Sequence, residues 1–147
     1  MNVALLGTGL LGQGVAERLH ATGHTLTAHN RSIEKTLALR QLGVRIAPTA
    51  AEAISAAKAV LLLLSDAAAI RAVLFHPSTS RTLEGRTIIQ MGTIGPAESR
   101  SIQEDVTSLG GRYLEAPVLG SIAEAKAGTL LVMVGGTREQ FDEWGPL

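Results

Sequence analysis

Three glycines near the start of the chain have the spacing of a phosphate-binding turn. Gly7, Gly9 and Gly12 follow the apolar run at residues 2–6 and precede apolar residues at helical spacing. In such a strand–turn–helix unit the first glycine permits the tight turn and the second lets a pyrophosphate approach the backbone. The third lets the helix sit close to the sheet, and the free N–H groups of the helix start hold the phosphates. The motif predicts dinucleotide binding by Gly7, Thr8, Gly9, Leu10, Leu11 and Gly12; the alternative is a glycine-rich turn that binds nothing.

The residues after the second predicted strand indicate which dinucleotide is bound. An NAD site usually has Asp or Glu about 20 residues after the glycines, whereas this chain has Asn30, Arg31 and Ser32. Arg31 can pair with a 2′-phosphate through two N–H groups, Asn30 and Ser32 can donate hydrogen bonds, and Lys35 adds a second positive charge. The sequence therefore predicts NADP(H) rather than NAD(H). The alternative is that Arg31 is a solvated loop charge.

Two further segments are expected near the nicotinamide end of the same site. Leu64, Ser65 and Asp66 end a continuous apolar run, where a nicotinamide ribose would pass and the contacts would come largely from the backbone. Thr93 follows the next predicted strand, and its hydroxyl could bond a carboxylate or an amide. Alternatively, Asp66 is a helix cap, which is compatible with contact to the cofactor.

Two loops at this rim predict a substrate-binding wall. Gly92 and Thr93 lie at one helix entrance, and Leu119, Gly120 and Ser121 follow the next predicted strand. Together they offer hydrogen-bond donors over a floor of small residues, although each segment alone is more simply a loop. No catalytic side chain is predicted within the chain, because its sequence supports no Ser–His–Asp or paired-carboxylate arrangement.

Alternating strands and helices position these residues. The predicted strands lie at 2–6, 24–29, 44–46, 59–64, 86–90, 112–115 and 129–134. The predicted helices lie at 10–22, 33–41, 48–57, 67–75, 96–109, 122–127 and 137–144, and residues 77–85 are expected to form a polar loop. This alternation predicts an α/β fold of the Rossmann type, a doubly wound and mostly parallel sheet with helices on both faces. Ligands are then expected at the carboxyl ends of the strands.

Composition narrows the class of protein. The 147 residues suit one domain, and with 46% hydrophobic but 3% aromatic residues the core must be aliphatic. Thirteen basic and thirteen acidic residues cancel, so we expect neither nucleic acid nor membrane as a partner. From the residues at the start we expect no signal peptide, and the longest apolar stretch is too short to span a bilayer. The absence of cysteine favours the cytoplasm, and the four histidines lack metal-ligand spacing.

Several longer motifs support a family resemblance. They are GTGLLGQGVAERL, NRS with Lys35, LLLLSD, MGTIGP and EAPVLGSIAEAKAGTLLVMVGG. In this order they resemble the β-hydroxyacid dehydrogenase family, which includes 3-hydroxyisobutyrate dehydrogenase and glyoxylate/succinic semialdehyde reductase, and which is similar to the NADP-binding domain of 6-phosphogluconate dehydrogenase. The family often has Ser-Thr at Gly92-Thr93 and Ser-Gly-Gly at Leu119–Ser121. Ser121 is closer to the semialdehyde reductases, and imine reductases share the scaffold with altered pockets.

The resemblance implies a domain organisation and an activity. Residues 1–147 correspond to an NADP-binding Rossmann domain, which the family follows with an all-helical domain carrying a catalytic lysine past position 147. We therefore expect this chain to bind NADP(H) with little turnover of its own. The full-length protein is expected to be a homo-oligomer that transfers hydride between NADPH and a small aldehyde acid or 3-hydroxy acid. The alternatives are a non-catalytic NADP-binding or sensing module and an imine reductase-like enzyme.

Overall fold

Six parallel strands form the central sheet of the computed structural model, which describes residues 1–147. In chain order they are β1 (Asn2–Leu6), β2 (Thr25–His29), β3 (Arg45–Ile46), β4 (Ala59–Leu62), β5 (Thr87–Gln90) and β6 (Arg112–Glu115). Their spatial order is β3-β2-β1-β4-β5-β6. The order reverses between β1 and β4, and a ligand crevice opens at such a switch point.

The connections between the strands are mostly helical. The helices are α1 (Leu10–Ala21), α2 (Leu37–Gln41), α3 (Ala50–Ser55), α4 (Ala67–Leu74), α5 (Pro77–Ser80), α6 (Pro96–Ser108), α7 (Ile122–Ala127) and α8 (Arg138–Trp144). A 3₁₀ helix at Ile33–Thr36 precedes α2. None of these helices combines the length and the apolar character that crossing a membrane requires.

The core lies on both faces of the sheet. Along β1, Val3 and Leu5 point into one cluster of 16 buried residues, and Ala4 and Leu6 point into a second cluster of 16. All four residues of β4 are buried, as expected of a central parallel strand covered on both sides. Both clusters are aliphatic apart from Tyr113. The predicted Rossmann-type fold with an aliphatic core is therefore confirmed.

Three details differ from the prediction. The expected helix at 33–41 begins as a 3₁₀ turn. The expected loop at 77–85 contains α5, because Pro77 favours a helix start and the His76 ring accepts the Ser78 N–H at 3.3 Å. The expected strand at 129–134 shrinks to β8 (Leu131–Val132), which pairs antiparallel with β7 (Val118–Leu119) in a separate small sheet.

Candidate functional site

A groove of about 1210 Å³ runs along the carboxyl ends of β1, β2, β4 and β5. The glycine turn, the β2 exit, the β4 exit and the β5 exit all contribute to its lining. The predicted site residues in that lining are Gly7, Gly9, Leu10, Leu11, Gly12, Asn30, Arg31, Ser32, Lys35, Leu64, Ser65, Asp66, Gly92 and Thr93. The sheet topology thus brings together residues that are far apart in the sequence.

The three glycines of the turn have different geometric roles. Gly7 has a φ of +100°, and a side chain there would collide with the Leu63 carbonyl. A side chain at Gly12 would collide with the Gly7 carbonyl, so the close approach is within the turn itself. At Gly9 a Cβ would have no heavy atom within 4 Å. Gly9 therefore leaves the space over the turn open, as the pyrophosphate-binding glycine of such a motif does.

The start of α1 offers unpaired backbone donors to this space. Gly9 is the N-cap residue and supplies no side-chain cap, and the first turn contains no acidic residue. The first N–H groups of a helix have no partner within it. These groups and the positive end of the helix dipole favour an anion beside Gly9.

Thr8 does not contact the groove, which differs from the expected cofactor contact. Its side chain is 0% exposed, and its hydroxyl donates to the Lys35 carbonyl at 2.9 Å. Its N–H donates to Oδ1 of Asn30 at 3.0 Å, and Nδ2 of Asn30 donates to the Ser32 carbonyl at 3.0 Å. Thr8 and Asn30 therefore join the glycine turn to the β2 exit. The Asn30 side chain, which was predicted to donate to a phosphate, makes two hydrogen bonds within the protein instead.

The β2 exit gives one end of the groove a positive charge. Arg31 and Lys35 are exposed and form no ion pair. The Ser32 hydroxyl makes no cap hydrogen bond, and Glu34 does not line the groove. Two cations and a free hydroxyl thus lie where a carboxylate would stand in a typical NAD site.

At the β4 exit, Asp66 has the predicted role of a helix cap and also lines the groove. Its Oδ1 accepts the Ala69 N–H at 2.8 Å, and its Oδ2 accepts the Ser65 hydroxyl at 3.1 Å. These bonds, the Ala69 N–H first, lower the pKa of the Asp66 carboxyl below its ordinary value. Asp66 is therefore a carboxylate at neutral pH, able to accept a hydroxyl from a sugar.

The β5 exit is held by a residue that the sequence reading missed. Gln90 is 0% exposed, donates from Nε2 to the Gly92 carbonyl at 2.8 Å and accepts the Gly92 N–H at 2.7 Å. A Cβ at Gly92 would lie 3.0 Å from the Leu64 carbonyl, so there is little room for the serine that the family often has. Thr93 is exposed beyond this clamp. The sequence feature that could have identified Gln90 is a polar residue at the end of a buried strand.

The segment from Leu119 to Ser121 does not line the groove, and its predicted role in a substrate-binding wall stays a prediction. Leu119 is 64% exposed, and the neighbouring Val118, which precedes this segment, lines the groove. The Ser121 N–H donates to Oε2 of Glu124 at 2.5 Å, so the expected free donor caps its own helix. The same hydrogen bond lowers the pKa of the Glu124 carboxyl, which leaves an anion beside Ser121.

The groove also has a wall that no sequence motif indicated. It is built from small residues of α4 and from side chains at the starts of α3 and α5, which pack together. These residues are Pro48, Thr49, Ala50, Ala68, Ala69, Ala72, Val73, His76, Ser78 and Thr79. Their contribution depends on how three separate helices meet, which local sequence does not encode.

Comparison with known proteins gives a consistent picture. The family model for the NAD-binding domain of 6-phosphogluconate dehydrogenase matches residues 2–147. The chain is 34% identical to 2-hydroxy-3-oxopropionate reductase of Escherichia coli, covering 100% of this chain and 51% of that protein. It is also 34% identical to the cytokine-like nuclear factor N-PAC of Danio rerio, covering 96% of this chain and 31% of that protein. The chain thus spans about half of the length of the first relative and about a third of the second.

Solved structures share the fold. An imine reductase from Streptomyces aurantiacus superposes with a TM-score of 0.93 at 27% identity, over 99% of this chain and 51% of that one. The 3-hydroxyisobutyrate dehydrogenase of Mycobacterium tuberculosis, solved with L-serine, gives a TM-score of 0.93 at 25% identity, over 99% of this chain and 50% of that one. These similarities confirm the resemblance predicted from the sequence motifs.

Proposed function

Because the chain belongs to the family of NAD-binding domains of 6-phosphogluconate dehydrogenase, we propose that it is the NADP(H)-binding domain of an oxidoreductase. The proposed reaction transfers hydride between NADPH and a small aldehyde acid or 3-hydroxy acid. One observation supports the preference for NADP(H). Two cationic side chains that form no ion pair, Arg31 and Lys35, lie at the end of the groove beside the glycine turn.

The groove fits a phosphorylated dinucleotide. The open space over Gly9 and the uncapped start of α1 support a pyrophosphate at this position. Arg31 presents a planar fork of N–H donors that matches a phosphate in two places, and Lys35 adds a point charge. The extra charge of a 2′-phosphate therefore gains more here than a free ribose hydroxyl does.

Thr93 supports the placement of the reactive end at the opposite side of the groove. A bound nicotinamide supplies hydride chemistry, whereas the protein supplies orientation and electrostatics. The two hydrogen bonds from Gln90 hold the backbone of Gly92, the residue before Thr93. We propose that this hydroxyl bonds the nicotinamide amide or the substrate carboxylate. Gly92 remains part of the proposed substrate site as a residue that lines the groove, while Gln90 holds its backbone N–H and carbonyl.

No lysine of this chain lies beside Thr93. Lys35 lines the groove near the glycine turn, Lys126 pairs with Glu17 at 2.9 Å, and Lys58 precedes β4 at the opposite edge of the sheet. We therefore propose that the proton donor is the lysine of the helical domain that the resemblance implies. On this basis, residues 1–147 bind cofactor and complete no reaction alone. A homo-oligomeric, cytoplasmic full-length protein belongs to the same proposal.

Two other functions each have a supporting observation. The similarity to N-PAC, which is named as a nuclear factor, favours a non-catalytic cofactor-binding module, as does the position of Leu119–Ser121 outside the groove. The similarity to the Streptomyces imine reductase and the apolar Leu119 favour an imine reductase-like enzyme. A screen of small aldehyde acids, keto acids and imines with NADPH on a full-length protein distinguishes all three functions.

Calorimetric titration of the 147-residue chain with NADP+ and NAD+ tests the cofactor proposal. We expect tighter binding of NADP+, and Arg31→Ala should weaken NADP+ about 10- to 100-fold, the range for one charge-assisted pair. NAD+ should change less than about twofold in the same variant. Equal weakening of both cofactors by Arg31→Ala would show that Arg31 does not bind the 2′-phosphate. NADPH oxidation by the chain alone at enzyme-like rates would contradict the assigned proton donor.

A further inference from the structure

The Lys35 carbonyl accepts two side-chain hydrogen bonds from other parts of the chain. The Thr8 hydroxyl donates at 2.9 Å, and Nε2 of Gln13 donates at 3.1 Å. Thr8 belongs to the glycine turn and Gln13 to α1, whereas Lys35 belongs to the 3₁₀ helix after β2. The backbone at Lys35 is thus hydrogen-bonded directly to the glycine turn and to α1.

The start of the same segment is fastened as well. Asn30 accepts the Thr8 N–H at 3.0 Å and donates to the Ser32 carbonyl at 3.0 Å. Thr8 is fully buried, so water cannot readily replace its hydroxyl as the partner of Lys35. Residues 30–35 are therefore held at both ends by bonds that converge on Thr8.

Neither Thr8 nor Gln13 lines the groove, so neither residue is placed to touch a bound cofactor. Arg31 and Lys35, in contrast, are exposed and have long side chains whose ordering costs entropy when they bind a phosphate. A backbone that is already fixed removes part of that cost, because fewer groups remain to be ordered on binding. The hydrogen bonds from Thr8 and Gln13 therefore matter most for the 2′-phosphate, the part of the cofactor that Arg31 and Lys35 bind.

We propose that Thr8 and Gln13 are positioning residues that set the preference for NADP(H) over NAD(H). By holding the Lys35 carbonyl, they keep Arg31, Ser32 and Lys35 arranged around one 2′-phosphate. This inference rests on the proposed NADP(H) preference of the groove. It adds that the preference depends on two residues that do not contact the cofactor.

The test measures dissociation constants for NADP+ and NAD+ in Thr8→Val, Gln13→Leu and the double variant, with Tm recorded for each protein. We expect each single variant to weaken NADP+ about fivefold, the effect of one net hydrogen bond. NAD+ should change less than about twofold, and the double variant should lose more discrimination than either single variant. Thr8→Ser keeps the hydroxyl, so this variant should keep the wild-type preference for NADP+.

Thr22→Val is the matched control. The Thr22 hydroxyl also donates to backbone carbonyls, those of Arg18 and Leu19, but at the far end of α1. Its loss should leave the ratio of the two dissociation constants unchanged. If Thr8→Val fails to fold, Gln13→Leu carries the test, because Gln13 is only partly buried.

The outcomes separate this inference from the proposal beneath it. A wild-type chain that binds NAD+ as tightly as NADP+ would overturn the proposed preference, and this inference with it, before any variant is measured. A wild-type preference that survives both Thr8→Val and Gln13→Leu would overturn only this inference. Equal weakening of both cofactors would also overturn it, since it would mean that the two residues merely shape the glycine turn.

Discussion

The buried side chain of Gln90 satisfies both backbone polar groups of Gly92, at 2.7 and 2.8 Å. This pairing follows directly after the inter-strand hydrogen bonds, which end at Met91, one residue past β5. Because Gln90 does not line the groove, it acts on the site through the backbone. The relationship holds the backbone immediately before the exposed Thr93.

We expect Gln90→Leu to destabilise the protein by about 1–3 kcal/mol, since two partly buried backbone groups lose their partners. The free energy of unfolding from urea titration measures this effect. Gln103→Leu, on the exposed side of α6, is the control and should change stability by less than about 0.5 kcal/mol. Equal losses in the two variants would show that the Gly92 bonds contribute nothing measurable.

The glycine turn predicts opposite effects for two similar substitutions. Gly9→Ala should leave Tm unchanged, because a Cβ there meets no atom within 4 Å, yet weaken NADP+ roughly tenfold by occupying the phosphate space. Gly12→Ala should lower the free energy of unfolding by about 1–3 kcal/mol or more, because its Cβ collides with the Gly7 carbonyl. Thermal melts and calorimetric titrations of the two variants provide the comparison. A stable Gly12→Ala protein, or a Gly9→Ala protein with unchanged affinity, would contradict this division of roles.

The Asp66 cap predicts a pH dependence of stability. Since hydrogen bonds lower the pKa of Asp66 in the folded state, its contribution is present above the unfolded pKa of about 3.9 and is lost as pH falls through the lower folded value. Asp66→Asn keeps a cap but cannot ionise. We expect the difference in urea midpoint between wild type and Asp66→Asn to be constant near neutral pH and to shrink below about pH 4. A difference that does not change down to pH 2 would rule out the ionised cap.

The sequence predicted the fold and the location of the site for physical reasons. Continuous apolar runs such as residues 59–64 suit a parallel strand that is covered on both faces. Parallel strands place their carboxyl ends at one edge of the sheet. The motifs around Gly7, Arg31 and Thr93 follow such strands, so their meeting in one groove was predictable. The positive charge of the β2 exit was also predictable, because Arg31 and Lys35 follow that strand in the sequence.

The remaining features depend on competition between local partners. Thr8 was expected at the cofactor but turns inward, because the Lys35 carbonyl and the Asn30 amide are both within its reach. Ser121 was expected to offer an N–H to substrate, but Glu124 on the same helix accepts it. Such choices are decided by distances after folding, which residue spacing does not determine.

The central place of β1 in the sheet affects when the site comes into existence during synthesis. The glycine turn is translated first, but its backing arrives later, when the Leu63 N–H bonds the Leu6 carbonyl at 2.9 Å and the Leu63 backbone comes to lie behind Gly7. Closing contacts between such distant residues costs loop entropy. We therefore expect a nascent chain that ends before Leu63 to carry the complete glycine motif without the backbone that lies behind it in the folded domain. We therefore expect only chains in which β4 has paired with β1 to bind the cofactor. Binding then favours the folded form over partly folded forms.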